Sequence, residues 1–153
     1  MKKGQTATEY LIILAVVIII ALIVVGVMGG IPGMGGGARS KTSQAYWSTA
    51  TLAIPSSVIR TNDATFNIQN NAGKDITVTE ITIDDGVNAP VPLNVVDKTI
   101  TLGNTESIPS VGATFTCTAG DTFSYSIAIA YTDVNGGTYT FTGEQNYEGT
   151  CSG

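Results

Sequence analysis

Apolar positions follow two regimes along the chain. From Leu11 to Met28 they are continuous, with no polar side chain in the run and Ile, Val and Leu in the majority. Those eighteen residues would reach about 27 Å as a helix rising 1.5 Å per residue, close to the hydrocarbon thickness of a bilayer. Their β-branched side chains lower helix propensity in water. In a bilayer the backbone must satisfy its own hydrogen bonds, and a helix does so. The run then dissolves into "GGIPGMGGGARS", Gly29 to Ser40, where Pro32 and the glycines end or kink a helix.

From about Tyr46 the pattern changes to period two. Phe66 and Ile68 alternate with Thr65 and Asn67, and Val91, Leu93 and Val95 form a second set. Ile100 with Leu102 and Phe115 with Cys117 form shorter ones. The clearest is "FSYSIAIAY", with Phe123, Tyr125, Ile127, Ile129 and Tyr131 on one face and Ser124, Ser126, Ala128 and Ala130 on the other. These are half-buried strands. "DVNGGT" and then Tyr139 and Phe141 predict a hairpin, with Asn135-Gly136 supplying positive φ angles. Asp84-Asp85-Gly86 predicts another turn. Ile76 and Val78 share one parity while Ile81 and Ile83 take the other. A β-bulge at Thr79–Glu80 would repair the phase.

Seven or eight short strands in this spacing predict a mainly β fold: a long N-terminal hydrophobic helix followed by an immunoglobulin-like β-sandwich. Phe66, Ile68, Phe123, Tyr125, Ile127, Ile129, Tyr139 and Phe141 are its expected core. The expected divisions are a leader at residues 1–4, the hydrophobic helix at 5–28, a Gly-rich hinge at 29–43 and the surface domain at 44–153. Gly26 and Gly30 also have a spacing that lets two membrane helices approach closely.

Composition narrows the chemistry. The 153 residues carry a formal net charge of −5 and no histidine. The missing imidazole removes the commonest general base and metal ligand. An acidic balance without a basic cluster argues against nucleic acid as partner. Asp133-Val-Asn135-Gly136 has the opening of a calcium loop but lacks its later ligands, and reads as a plain turn. Asp84 and Asp85 sit in a turn context that suggests solvation. The aromatic stripe at 123–131 has strand spacing and reads as core. No catalytic residues, metal site or cofactor are expected. Cys117 and Cys151 both follow the apolar run; outside a cell such a pair is most often a disulfide, with two separate thiols as the alternative. No Asn-x-Ser/Thr sequon is present, while exposed Ser and Thr leave O-linked sugars open.

Glu9 stands at the mouth of the apolar run, after Lys2, Lys3, Gly4 and Gln5. One account is an ordinary anchor: the lysines stay in the cytoplasm, although Arg39 and Lys41 flank the other end, and the carboxylate favours the helix N-terminus. A second is a secretory signal, but the run is long for one and an acidic insert is unusual there. The third accounts for the whole stretch. Lys-Lys-Gly-Gln, then Glu9-Tyr10, then an unbroken apolar helix resembles the processing signal of type IV pilins, and most closely that of archaeal pilins with a class III signal peptide. The resemblance covers residues 2 to about 28. Ala7 stands where that pattern often has Ser, and Ile13 where it often has Leu.

The resemblance implies cleavage between Gly4 and Gln5 by a prepilin peptidase. It implies a helix that first anchors the precursor in the cytoplasmic membrane and then forms the core of an extracellular filament. The partners it implies are copies of the same chain in a helical homopolymer, an assembly ATPase and a membrane platform protein. A buried carboxylate is costly unless paired, and the resemblance pairs Glu9 with the new α-amine of Gln5 in a neighbouring subunit. If that N-terminal Gln cyclised to a neutral lactam, the amine charge would be lost. The function so implied is a structural filament subunit for adhesion. The alternative is a non-polymerising or minor pilin-like binding module anchored in the membrane; a secreted enzyme is a third class.

Overall fold

A computed structural model describes residues 7–28, 34–111 and 117–153. The chain divides into two compact units, residues 1–38 and 39–153. In the first, helix α1 spans Ala7–Met28, with Glu9 in its opening turn. Its large apolar side chains from Tyr10 to Ile20, and Ile23, are exposed within the chain. Among the described residues no helix is long and apolar enough to cross a membrane. The side chains described in α1 stop short of its C-terminal end, so the anchor expectation continues to rest on the sequence of the complete run.

Helix α2, Met34–Thr49, carries the chain into the second unit. The hinge expected at 29–43 is therefore helical from Met34 onward, and residues 29–33, with Gly30 and Pro32, lie outside the described residues. The second compact unit begins at Arg39, where the sequence reading starts its domain at 44. The reason lies in Ser43, Tyr46 and Trp47, which pack on the strands and carry the preceding turn with them.

Nine strands follow among the described residues: β1 Leu52–Ile59, β2 Asp63–Asn70, β3 Ile76–Asp84, β4 Val91–Leu93, β5 Lys98–Ile100, β6 Thr105–Val111, β7 Thr122–Asp133, β8 Thr138–Thr142 and β9 Tyr147–Thr150. They form two antiparallel sheets, one ordered β1-β2-β6 and the other β4-β3-β7-β8, with β5 also on β3 and β9 also on β7. Inward residues of both sheets join one core: Leu52, Ile54, Phe66, Ile68 and Ile108 from the first, Ile76, Ile81, Ile83, Ile127 and Ile129 from the second. Trp47 of α2 belongs to it and is fully buried. Alternation of buried and partly exposed positions along β2 and β7 matches the period-two pattern.

The predicted bulge is present. The β3–β7 register shifts between Val78 and Glu80, so Val78 faces Tyr131 and Glu80 faces Ala130. Ile76, Val78, Ile81 and Ile83 all become buried as a result. The turn at Asp84–Gly86 is also present: the Asp84 carboxylate accepts the Gly86 N–H, and the Asp85 carboxylate accepts those of Val87 and Asn88. These bonds hold the Asp85 carboxyl below its usual range, chiefly through the Asn88 N–H.

Two expectations need correction. The β7–β8 hairpin forms, but Gly136 alone takes positive φ there, at 81°, and Asn135 does not. The Asp133 carboxylate accepts the N–H groups of Asn135 and Gly137 and the Gly136 N–H bonds the Asp133 carbonyl, so the tight turn needs one left-handed residue rather than two. Tyr139 is not core: it is 47% exposed, because β8 is the last strand on its side of the sheet. Phe141 is half-buried and packs on the core.

Candidate functional site

The second unit grips α2 through three side chains at helical spacing. Ser43, Tyr46 and Trp47 lie at i, i+3 and i+4, so they share one face of the helix. That face meets the β8–β9 connection. Ser43 Oγ donates to the Asn146 carbonyl at 2.8 Å and accepts the Glu148 N–H at 2.9 Å. Tyr46 Oη accepts the Glu144 N–H at 2.8 Å, and Trp47 Nε1 donates to the Gln145 carbonyl at 3.0 Å. Every backbone position from Glu144 to Glu148 except Tyr147 is thus bonded by a helix side chain. Beneath them the Trp47 ring meets Tyr46, Phe141 and Tyr147 edge-on, at centroid distances of 5.4, 6.1 and 5.8 Å.

Gly143 completes this seat. A β-carbon there would collide with the Trp47 benzene edge, at Cζ2 and Cη2. The aromatic packing continues inward, Tyr147 stacking on Phe123 and Phe123 on Tyr125. Burial pushes the Tyr147 and Tyr125 phenols up, with the Asp85 charge adding to the shift of Tyr125.

The disulfide lies just past the C-terminal end of β9. Cys117 and Cys151 are bridged, across a sequence separation of 34 residues. Cys151 directly follows β9, and its N–H bonds the Asp121 carbonyl. The last residues are tied down further, since the Ser152 N–H bonds Ile59 and the Gly120 N–H bonds Cys151.

A second polar cluster lies at the hairpin. Lys74 Nζ pairs with Asp133 Oδ2 at 2.5 Å and sits 5.7 Å from the Tyr139 ring centroid. The Lys74 bond and the backbone N–H groups of Gly137 and Asn135 hold the Asp133 carboxyl below its usual range. The same bond raises the Lys74 amine. These partners make the cluster a brace for the turn. Among the described residues no group of three or more His, Cys, Asp or Glu could hold a metal ion.

Of the residues singled out by sequence, the structure brings together Cys117 and Cys151 and places Glu9 and Gly26 in α1. Gly4, Gln5, Gly30 and Pro32 lie outside the described residues. Sequence reasoning missed the Ser43–Tyr46–Trp47 face and the Lys74–Asp133 pair. The first had a signal: the only tryptophan of the chain stands at helical spacing from Ser43, just beyond a polar stretch.

No protein-family model matches the chain, and no curated protein matches it. A solved structure, the archaeal flagellum of Methanospirillum hungatei strain JF1, matches over 97% of this chain and 94% of that one, at 14% identity and a TM-score of 0.37. An overlap at that level establishes neither fold nor function.

Proposed function

We infer that the chain is a pilin-like structural subunit of an extracellular, type IV-like surface filament, with adhesion as its role. The observation that carries this reading is the join of Gly4-Gln5 and Glu9 to the unbroken apolar run of α1, followed by a disulfide-closed β domain. A prepilin peptidase cuts between Gly4 and Gln5. The helix, about 33 Å long at 1.5 Å per residue, holds the precursor in the cytoplasmic membrane and then packs with its copies as the filament core. Glu9 sets the register by pairing with the Gln5 amine of a neighbour. The immunoglobulin-like sandwich forms the outer surface, and an assembly ATPase and platform protein drive polymerisation.

The disulfide supports this placement, since such bonds persist in oxidising surroundings. The test is the intact mass of the protein in material sheared from the cell surface. A chain beginning at Gln5 in sheared filaments is the expected result. A chain beginning at Met1 and confined to the membrane fraction would overturn the reading. So would one beginning near Ala38, which would make the apolar run a discarded secretion signal.

A further inference from the structure

The β8–β9 side of the large sheet is an edge with two different treatments. In an antiparallel pair, residues alternate between those that bond the partner strand and those whose N–H and C=O point away. The Gly143 N–H bonds the Ile127 carbonyl and the Asp133 N–H bonds the Gly137 carbonyl. This phase directs the backbone groups of Tyr139 and Phe141 at β7, and those of Thr138, Thr140 and Thr142 outward. Along the β9 segment the outward groups are covered: Glu148 N–H and Asn146 C=O are both held by Ser43 of α2. Along β8 no described residue covers them. All of β8 is exposed except the half-buried Phe141.

Exposed edges are templates for pairing with another chain, and proteins commonly blunt them with charge, proline or a cover. The edge strand β1 carries Pro55 and an irregular register beside it. β8, "TYTFT", has no proline and no charged residue. It also reads nearly the same in both directions. Laid antiparallel on a second β8 about Thr140, it sets Thr140 opposite Thr140, Thr138 opposite Thr142 and Tyr139 opposite Phe141. The outward groups of the three threonines would then exchange hydrogen bonds on both strands. The Tyr139–Phe141 pairs would fall at the non-bonded positions, where side chains approach most closely and aromatic pairs add stability. For a chain of net charge −5, an uncharged strand is also where two copies meet with little local repulsion.

We propose that β8 is a self-pairing edge: two copies of this chain join antiparallel, β8 to β8, about a two-fold axis at Thr140. The contact is small, so it is weak in dilute solution and grows where copies are concentrated. It does not depend on the filament reading. A two-fold contact between identical patches closes on itself. It does not propagate a polar filament, and where filaments exist it joins one to the next.

The test uses the full chain in detergent, with single cysteines added and mild oxidation. Bonded antiparallel positions lie about 5.5 Å apart at Cα, within the roughly 4.4–6.8 Å that a disulfide spans. Thr140→Cys should give a covalent dimer. Thr138→Cys and Thr142→Cys should each stay monomeric alone and cross-link when mixed. Val87→Cys, at an exposed turn away from the edge, should not cross-link. Thr140→Pro removes an outward N–H and no bond to β7, and should abolish cross-linking of the mixed pair while leaving Trp47 emission unchanged. Homodimers of Thr138→Cys as abundant as the mixed species would overturn the proposal, as would equal cross-linking of Val87→Cys or of the mixed pair with Thr140→Pro. Association through α1 alone would give that indiscriminate pattern. The mass of sheared material tests the filament reading separately.

Discussion

Ser43 and Glu148, 105 residues apart in sequence, share one hydrogen bond at 2.9 Å in which a helix hydroxyl takes the place of a neighbouring strand. The same hydroxyl donates to Asn146 and is almost fully buried. Ser43→Ala leaves a strand N–H and a carbonyl without this partner. The expected cost is about 1–3 kcal/mol, read as a lower urea midpoint for the full chain in detergent. An unchanged midpoint would show that the seat rests on Tyr46 and Trp47 without Ser43.

Gly143→Ala tests the aromatic half of the seat. The added methyl group has nowhere to go, because the Trp47 indole is fully buried and bonded at Nε1. Overpacking of this kind costs about 1–3 kcal/mol. Trp47 is the only tryptophan, so its emission should shift to the red if the ring is displaced.

Removing the bridge with Cys117→Ser and Cys151→Ser together should cost about 4 kcal/mol by the chain-entropy relation for a loop of this length. Thermal unfolding in the oxidised wild type and the double variant measures it. A difference near zero would show that the C-terminal hydrogen bonds suffice to hold β9.

The Lys74–Asp133 pair fixes a pH dependence. Asp133 has a lowered pKa when folded, so its contribution is present above the ordinary carboxylate value and is lost as pH falls through the lowered one. Lys74 has a raised pKa, so its contribution is full below the ordinary amine value and is lost only as pH rises through the raised one. The stability difference between wild type and Lys74→Met should therefore be flat across neutral pH and shrink in acid. A difference that persists when Asp133 is protonated would assign the role of Lys74 to its packing on Tyr139.

Glu9→Ala addresses the filament reading. The variant should insert and be cleaved normally but fail to assemble, since stranding one member of a buried charge pair costs about 3–5 kcal/mol. Sheared filaments in normal amount would remove Glu9 from assembly.

The strands and the bulge were legible because both are statements about parity. Ile76 and Val78 against Ile81 and Ile83 admit a continuous buried face only if one residue is extra, and the register shift supplies it. Two cysteines beyond the apolar run allowed a bridge or two separate thiols, and the structure shows the bridge. Tyr139 was misplaced because alternation says which face a residue takes and not whether its strand is an edge. Asn135 was misplaced because the Asp133 side chain, not dipeptide preference, sets the turn. The seat of α2 was missed for a different reason, although its lone tryptophan was a signal. Its helix is rich in glycine, serine and threonine, and only docking, through partners about a hundred positions away, makes those residues hold a helix together.

The position of that seat has a mechanical consequence. A pull arriving along α2 would, without it, pass straight down the chain into β1, an edge strand interrupted beside Pro55 and open to peeling. Ser43, Tyr46 and Trp47 divert the load sideways onto residues 144–148. A few residues further on, Cys151 hands it to Cys117 through a covalent bond. A pull on the chain ahead of β1 is thus shared between the first strand and the last, and the one that takes the diverted share cannot be stripped from its free end.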